Sequence, residues 1–416
     1  MGIRTSFTKE VNGMKVTLGP RNGSKAPHPL PIQEACKVLG VELPKDAVCK
    51  YQPSHYIEKG VFKGNLDTIY ERLGDKMPDY DREELEKNYN AFRRKYRSQE
   101  NIKFNYRNMT VYFTDWLLHC KHRGFTHNCY FDYELYNKEQ DIRETFLNEG
   151  YRVRVYNACN KPGFRKVFLD KAAFNKTFKN WVRRDWIDTT QCDFEEFKSF
   201  VERHEQFFGK PVRGTGGAGA RVIKRESDTL ENLFESCKKD NLILEELIKQ
   251  HKELAEFNAS TLNTVRINTL RCADDEVRIL LTVARFGRAG NVVDNFHGGG
   301  VGAIVDIETG VIITEAINRG HLKDYVHPDS KKAILGFQYP EWEKVKKAVC
   351  EAALLTPNVR HVGWDVCVTE DGEVEFVEGN SRPNFDVLQS PDQLGRRFRY
   401  EPYLPALEEL AEKESI

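Results

Sequence analysis

Three residues in the last part of the chain, Asp365, Glu378 and Asn380, have the types and the spacing of a metal site. They flank the dipeptide Asp371-Gly372, which favours a two-residue type I′ turn between two antiparallel strands. Such a turn puts Asp365 directly opposite Glu378 and directs Asn380 to the same face of the hairpin. Two carboxylates this close repel each other, and a divalent cation removes the conflict. Hard oxygen ligands of this kind predict Mg²⁺.

The same turn predicts the pairing of the rest of the hairpin. Glu370 is expected to face Glu373, and each step away from the turn pairs the next two residues. Glu373 and Glu375 are expected to be ordinary solvated acids. If the three candidate ligands were solvated acids and amides of the same kind, the hairpin would be structural and would hold no metal.

A second segment suited to chemistry runs from Gly209 to Ile223. Lys210 precedes four glycines that lie between two short predicted strands: Gly214, Gly216, Gly217 and Gly219. Glycine lets backbone N–H groups approach an anion closely, and a lysine before the loop can reach the same anion. The segment lacks the G-x-x-x-x-G-K-[ST] pattern and no helix obviously follows it, so it is neither a P-loop nor a Rossmann turn. It predicts a phosphate-binding flap, with a flexible surface hairpin as the alternative.

Three more segments carry polar residues on or beside predicted strands. Glu245 and Glu246 end an apolar strand, where they could contact an adenine amino group and a ribose. Arg266 alternates with apolar residues, and a half-buried arginine needs an anionic partner, either a phosphate or a structural carboxylate. Asp294, Asn295 and His297 lie in a loop that is predicted to be mobile or to face a substrate. A lone histidine in such a loop is more often structural than catalytic.

These candidates need a scaffold of short strands, and the second half of the sequence predicts one. Apolar runs broken by Gly, Asp and Asn indicate mostly antiparallel strands, and a helix over 342–355 precedes the hairpin. Amphipathic helices are predicted over 66–100, from Asp170 and from Phe194. Helices and strands that are segregated along the chain indicate an α+β fold. The aromatic-rich segment 104–156 predicts a packed helical subdomain, with a sugar or nucleic-acid face as the alternative.

Bulk composition excludes several classes of protein. The chain has 416 residues with 63 basic and 63 acidic side chains, so no overall charge favours nucleic acid. No apolar run suits a transmembrane helix, and the N-terminus lacks the apolar core of a signal peptide, although it matches the loose Gly2 to Ser6 myristoylation pattern. Ten cysteines without a C-x-x-C pair predict reduced thiols in a cytoplasmic protein.

The order of these motifs resembles the ATP-grasp superfamily, in which two α+β subdomains grip ATP between antiparallel sheets. Its amino-acid ligases, such as D-alanine–D-alanine ligase, show the same spacing of metal-binding residues. The sugar-transfer-associated and teichuronopeptide-biosynthesis members are more similar still, in the segments NTVRINTLR, ARFGRAGNVVDNFHGGG, HVGWDVCVTEDG and VEGNSRPNFDVLQ. The resemblance implies a mostly helical extension over 1–125, a part with the flap over 126–245 and a part with the metal hairpin over 246–416.

The resemblance also implies how a nucleotide would bind. Lys171 and Lys210 would bind the phosphates of ATP beneath the glycine flap. The adenine would contact the side chain of Glu245 and the backbone of Glu246 and Ile248. No carboxylate for the ribose is clear, and three residues are candidates for it: Gln250, His251 and Glu253.

The implied chemistry is ligation of a small-molecule carboxylate to a small-molecule amine, with a sugar- or amino-acid-derived substrate. Arg266 and Arg285 would face the γ-phosphate or the acyl phosphate, and the hairpin would hold Mg²⁺, with Mn²⁺ as the alternative ion. Asp294 or His297 would orient the amine, and ADP and phosphate would be released. The alternatives are an ATP-grasp kinase acting on a hydroxyl and a nucleotide-binding module without catalysis. No nucleic-acid partner and no membrane span are expected, and a homodimer is compatible with the family.

Overall fold

The computed structural model describes residues 7–11, 14–18, 81–102, 106–214, 218–290 and 299–414. The chain separates into two compact units. The first comprises residues 1–154, 320–323 and 384–401, and the second comprises residues 155–319, 324–383 and 402–416. The three-part division implied by the resemblance stays a prediction.

Helices and strands are segregated along the chain, as the sequence predicts. The helices of the described residues are α1 (Arg82–Arg97), α2 (Tyr106–His119), α3 (His127–Asp132), α4 (Gln140–Glu144), α5 (Glu149–Cys159), α6 (Lys166–Leu169), α7 (Lys171–Thr177), α8 (Phe194–Arg203), α9 (Leu230–Lys239), α10 (Lys252–Ala255), α11 (Trp342–Leu354) and α12 (Leu404–Glu414). The strands are β1 (Phe7–Val11), β2 (Met14–Leu18), β3 (Trp186–Asp188), β4 (Gln206–Pro211), β5 (Arg221–Lys224), β6 (Leu242–Glu246), β7 (Thr264–Arg271), β8 (Val277–Phe286), β9 (Val301–Ile304), β10 (Ala316–Ile317), β11 (Lys323–Asp324), β12 (His361–Val368) and β13 (Val374–Asn380). No helix in these ranges is both long and apolar enough to cross a lipid bilayer.

The first unit is built around aromatic side chains. The rings of Phe92, Phe113 and Phe131 are fully buried and lie 4.8 to 5.5 Å apart, centroid to centroid, where they contact. Beneath them, the Arg143 guanidinium bonds the carboxylate of Asp115 at 2.8 and 2.9 Å, with both side chains fully buried. The aromatic-rich segment is therefore a packed core, as predicted, and these rings offer no face to a sugar or a nucleic acid.

The second unit contains two antiparallel sheets. The smaller sheet has the strand order β3-β6-β4-β5, and the larger has the order β11-β10-β9-β8-β7-β12-β13. Apolar side chains on one face of the larger sheet, including Val265, Trp364 and Phe376, pack with Val349 of α11 in one core. Because side chains alternate along a strand, the other face of β7, β12 and β13 carries the polar residues.

The turn of the β12–β13 hairpin differs from the prediction. Gly372 has the positive φ of +78°, and its N–H donates to the carbonyl of Thr369 at 3.0 Å, so the loop has three residues and is not a type I′ turn. The longer loop shifts the pairing by one residue. A β-bulge at Val377 shifts it back, because Val366 faces Phe376 while Asp365 faces Glu378.

The bulge has a second consequence, at Glu375. This residue faces Cys367 and is only 2% exposed, so the prediction of a solvated acid at this position is wrong. Its carboxylate accepts hydrogen bonds from the side chain of Arg184 and from the backbone N–H of Arg183. The error follows from the turn, because a one-residue change of register moves every side chain before the bulge to the other face.

Candidate active site

Asp365 lies between two arginines on the polar face of the larger sheet. It is paired in register with Arg266 of β7, whose Nε and Nη2 both donate to its carboxylate, the second at 2.7 Å. Arg285 of β8 adds a contact at 2.8 Å and also donates to the hydroxyl of Thr264. Burial alone would raise the pKa of Asp365, but the two guanidinium groups hold it at about 2. The residue is therefore a buried anion at neutral pH.

Glu378 lies opposite Asp365, as the sequence predicts, and the negative charge of Asp365 opposes ionisation of Glu378. Burial raises the pKa of Glu378, and the charge of Asp365 raises it further. Asn380 follows on the same strand, and its amide nitrogen is 3.4 Å from Glu378 Oε1. The described residues contain no group of three or more His, Cys, Asp and Glu side chains suited to a metal, so this site offers two carboxylates and one amide.

This set of donors fits Mg²⁺. The ion prefers hard oxygen ligands and uses one or two carboxylates together with substrate phosphates. A cation between Asp365 and Glu378 would remove the repulsion that raises the pKa of Glu378. It would also take over oxygen lone pairs that now accept from Arg266, so the arginine would be released toward an incoming phosphate.

Lys210 lies on β4 of the smaller sheet and is almost fully buried. Its Nζ contacts the carboxylate of Glu245 at 2.8 Å and lies 3.5 Å from the carbonyl of Val377, the bulged residue of β13. Burial by itself would raise the pKa of Glu245, but Arg184 and Lys210 lower it to about 2. The two sheets therefore meet at Lys210, beside Asp365 and Glu378, the two carboxyl groups of the candidate metal site.

Arg184 connects the two sheets more directly. Its Nη2 donates to Glu245 of the smaller sheet at 2.8 Å, and its Nη1 bonds Glu375 of the larger sheet at 2.5 Å and the carbonyl of Phe376 at 2.7 Å. The amide of Asn175 donates to the same Glu245 at 3.0 Å. A guanidinium suits this position because its planar fork presents several donors in fixed directions.

Lys171 begins α7, which is capped by the side chain of Asp170. Its Nζ donates to the carbonyls of Pro211 at 3.0 Å and Gly214 at 3.1 Å, at the start of the glycine-rich segment. Burial lowers the pKa of Lys171, and the charge of Lys210 lowers it further. The predicted flap thus begins at a lysine, and Gly219 near its far end has a φ of +77° that favours glycine. Gly216 and Gly217 lie outside the described residues.

The predicted adenine segment divides into two parts. Glu245 and Glu246 end β6, and Glu246 accepts from the backbone N–H of Asp185 at 3.1 Å, while Ile248 beyond them is half-buried. Gln250 uses its whole amide locally. It donates to the carbonyls of Asn258 and Thr261, both at 2.9 Å, and accepts from the backbone and side-chain N–H groups of Asn263 at 2.9 and 3.0 Å. These contacts leave Gln250 no group for a ribose hydroxyl, and we omit it from the site.

The predicted substrate-facing loop lies outside the described residues. The predicted roles of its residues Asp294, Asn295 and His297 at the amine therefore stay predictions. Arg184, Asn175 and Asn268 were missed. A pair of arginines before β3 is the only local signal for Arg184.

Asn268 sits two residues beyond Arg266 on the same strand and faces Gly363. It is fully buried, and within the part of the chain that the structure describes neither its amide oxygen nor its amide nitrogen has a hydrogen-bond partner. A buried, unpaired amide costs about 1–3 kcal/mol per group, so such a residue is expected where a ligand or water completes it. Its alternation with Arg266 in the sequence could have indicated the position, because both side chains share one face.

Solved structures of known enzymes resemble this chain at low identity. D-alanine–D-alanine ligase from Bacillus anthracis is 13% identical, with a TM-score of 0.39 over 62% of this chain and 72% of that one. The ATP-grasp ligase PsnB, complexed with precursor peptide PsnA2 and AMPPNP, is 16% identical, with a TM-score of 0.37 over 60% and 62%. N5-carboxyaminoimidazole ribonucleotide synthetase from Thermotoga maritima is 13% identical, with a TM-score of 0.34 over 55% of this chain and 45% of that one, so the match spans under half of its length. No curated protein matches in sequence.

The amino-acid sequence is sufficient to assign the chain to a family. A family model described as sugar-transfer associated ATP-grasp matches residues 154–401, which is more than half of the chain. The match includes the start of the glycine-rich segment at Lys210 and the hairpin that carries Asp365, Glu378 and Asn380. Its α+β architecture with antiparallel sheets agrees with the two sheets of the second unit. The chain belongs to the sugar-transfer associated ATP-grasp family.

Proposed function

We propose that this protein is an ATP-dependent carboxylate–amine ligase that activates a carboxylate as an acyl phosphate. The observation that carries the proposal is the cross-strand row of Arg266, Asp365 and Glu378 on the polar face of the larger sheet. Arg285 contacts Asp365, and Lys210 lies beside the row at Val377. Opposed carboxylates beside guanidinium groups suit a reaction in which negative charge moves between phosphate oxygens. Members of the ATP-grasp superfamily are typically ligases.

Several basic side chains at the site support binding of a triphosphate. Arg266 and Arg285 both contact the carboxylate of Asp365. Within the described residues, the Nζ of Lys171 donates hydrogen bonds only to carbonyl oxygens. In the proposal Lys171 and Lys210 bind the phosphates of ATP, while Glu245 and Arg184 hold Lys210 in place.

The proposed reaction has two steps. An oxygen of the substrate carboxylate forms a bond to the γ-phosphorus, the bond to the bridging oxygen of ADP breaks, and Arg266 and Arg285 neutralise the charge that develops. An amine then attacks the carbonyl carbon, phosphate leaves, and the amine loses its proton to solvent. Mg²⁺ held by Asp365, Glu378 and Asn380 would supply further charge neutralisation on the phosphates. The flap must exclude water, because water would hydrolyse the acyl phosphate.

The test uses the purified full-length chain with ATP, Mg²⁺, hydroxylamine and a panel of amino acids and sugar acids. We expect at least one acid to increase ADP release and to yield its hydroxamate, because hydroxylamine captures an acyl phosphate. Asp365→Asn and Glu378→Gln should each lower the rate by about 100-fold or more, since each removes a carboxylate that would hold Mg²⁺ at the reacting phosphate.

The matched control is Glu373→Gln. Glu373 is an acid on the same hairpin, but it is about half exposed and pairs with Arg183 at the surface. It should leave the rate unchanged. A phosphorylated product without hydroxamate would indicate a kinase, and binding of ATP without ADP release would indicate a module without catalysis. Full turnover in both Asp365→Asn and Glu378→Gln would contradict the proposed site.

A further inference from the structure

A buried amide without hydrogen bonds lies on the polar face of the larger sheet, next to the candidate metal residues. Asn268 follows Arg266 by two residues on β7, so both side chains are on this face. Across the strands, Asn268 faces Gly363 of β12, and Gly363 faces Asn380 of β13. The neighbouring row begins with Arg266, which faces Asp365. The backbone of Asn268 is therefore about 7 Å along the strand from that of Arg266.

The absence of a side chain at Gly363 lets this amide approach Arg266. A Cβ atom added at Gly363 would lie 3.0 Å from Asn268 Oδ1 and 3.2 Å from Arg266 Cδ. It would also lie 2.7 Å from the Cβ of Pro383. The amide oxygen, the stem of the arginine and the proline therefore share the space above the glycine. Because the stem of Arg266 is one of the groups that cover the amide, rotation of Arg266 toward a phosphate would open it.

Comparable buried amides of the second unit have hydrogen bonds within the protein. Asn263 donates to the carbonyl of Leu254 at 2.9 Å and accepts from the N–H of Gly287 at 3.1 Å. Asn160 bonds the carbonyl and the N–H of the first residue of β12. Asn268 is 0% exposed, and in the described ranges neither its Oδ1 nor its Nδ2 has a partner. A buried donor and acceptor are costly to leave unpaired, so we expect a partner that is not part of the chain.

The two unpaired atoms limit the chemical group that can bind there, because Nδ2 donates and Oδ1 accepts. A carboxylate or a phosphate only accepts, so it would leave Oδ1 unpaired, and an ammonium group only donates, so it would leave Nδ2 unpaired. A peptide unit is trans, and its N–H and C=O point in opposite directions, so it cannot pair with both atoms. Two neighbouring hydroxyl groups satisfy both atoms, because one can donate to Oδ1 while the other accepts from Nδ2.

We infer that Asn268 binds neighbouring hydroxyl groups of the acid that is activated beside Arg266. The substrate is then a polyhydroxylated acid of the sugar type, a substrate class that rests on the proposed ligase function. Its carboxylate lies at Arg266 and Arg285, and its hydroxyl groups lie one row further along the polar face. A terminal carboxamide also combines a donor with an acceptor, and the experiment separates it from the hydroxyl groups.

The test measures the binding of matched acids to the full-length chain by isothermal titration calorimetry, with Mg²⁺ and AMPPNP present at saturation. D-gluconate is paired with hexanoate, and D-glucuronate is paired with tetrahydropyran-2-carboxylate, so that the members of each pair differ in their hydroxyl groups. Succinamate supplies a terminal carboxamide. We expect at least one hydroxylated acid to bind about tenfold or more tightly than its partner, because the partner leaves the amide unpaired.

Asn268→Leu removes both polar atoms and keeps a side chain of similar size. It should abolish the preference for the hydroxylated acid and leave the affinity for its partner within about twofold, whereas loss of a merely structural amide would change both affinities alike. Asn232→Leu is the matched control, because it removes an exposed amide on α9, and it should keep the preference. If Asn268→Leu does not fold, Asn268→Ala removes the same two atoms without adding bulk.

Failure of this inference and failure of the proposed function give different results. Equal affinities within both pairs, no binding of either hydroxylated acid, or a preference that survives in Asn268→Leu would overturn the role of Asn268, while formation of a hydroxamate would still support a ligase. Tighter binding of succinamate than of both hydroxylated acids would assign the amide to a carboxamide and would also overturn it. If AMPPNP does not bind, the proposed function fails, and the same titrations without nucleotide still compare Asn268→Leu with Asn232→Leu.

Discussion

Glu245 is buried and charged, so the stability that its ion pairs contribute is sensitive to acid. Its pKa is about 2, below the ordinary value of 4.5, so the ion pairs to Arg184 and Lys210 stabilise the fold at pH values above about 4.5. This stability is lost as the pH falls from 4.5 toward 2, because the unfolded chain then binds the proton more tightly.

Glu245→Gln should therefore lower the free energy of unfolding at pH 7 by about 3 kcal/mol as an order of magnitude. It should also flatten the dependence of stability on pH below 4.5. Urea unfolding at several pH values measures both effects. Glu235→Gln, at an exposed acid on α9, serves as the control and should follow the unchanged protein. Parallel acid-denaturation profiles for Glu245→Gln and the unchanged protein would contradict the assignment.

Asn268 is expected to reduce stability in the absence of a ligand. Both polar atoms of its amide are buried beside Gly363 and Arg266, and neither has a partner among the described residues. Asn268→Leu should raise the free energy of unfolding by about 1–2 kcal/mol without ligand, because it removes two unpaired polar atoms. If the amide binds a reactant, the same variant should lose turnover. Thermal unfolding and ADP release measure the two effects, and a less stable variant would show that water already completes the amide.

At the scale of secondary-structure elements, Arg184 joins the smaller sheet to the larger one through ion pairs with both. Arg184→Ala should lower the free energy of unfolding by about 3–5 kcal/mol, because it leaves Glu245 and Glu375 buried without their shared partner. Arg183→Ala is the control. Arg183 is about half exposed, and its side chain forms a surface ion pair with Glu373, so its loss should change stability by less than about 1 kcal/mol. Equal effects of the two variants would remove the special role of Arg184.

The bulge at Val377 decides which side chains of β13 reach the polar face. Deletion of Val377 should remove the bulge and leave Glu378 opposite Asp365, because Val377 is the extra residue between the pairs Val366–Phe376 and Asp365–Glu378. Binding of Mg²⁺ and AMPPNP should therefore persist in the deletion variant. Val377→Ala keeps the extra residue and should also bind normally. Calorimetric titration of both variants with Mg²⁺ and AMPPNP tests this. Loss of binding by a folded deletion variant alone would show that the site needs the bulged backbone itself and not only the facing of Glu378.

At the scale of the whole molecule, the candidate site lies within the second unit, while the aromatic core belongs to the first. Binding of Mg²⁺ and AMPPNP should therefore protect backbone amides of β4, β6, β7, β12 and β13 from hydrogen exchange. A ligand at 100 times its dissociation constant stabilises the folded state by about 2.7 kcal/mol. The effect should disappear in Asp365→Asn. Protection confined to α1–α4 would contradict the assignment of the site.

Much of the site could be predicted because its residues are grouped by local patterns. The glycine-rich segment with Lys210 is contiguous, and strand alternation puts Arg266 on a polar face. The pairing of Asp365 with Glu378 was predicted from a type I′ turn that the structure does not contain. The two residues nevertheless face each other, because the longer loop and the bulge at Val377 each displace the register by one residue, in opposite directions.

By itself, the sequence determined the α+β class, the candidate phosphate and metal residues, and the family, because each depends on residue type and short-range spacing. Only the tertiary structure decided that Glu375 is buried, that Arg184 joins the two sheets, and that Arg382 lies over the ring of Tyr156 from a distant segment. These contacts link residues separated by tens to hundreds of positions. Their partners are selected by packing and by the cost of an unpaired buried charge, and neither leaves a pattern along the chain.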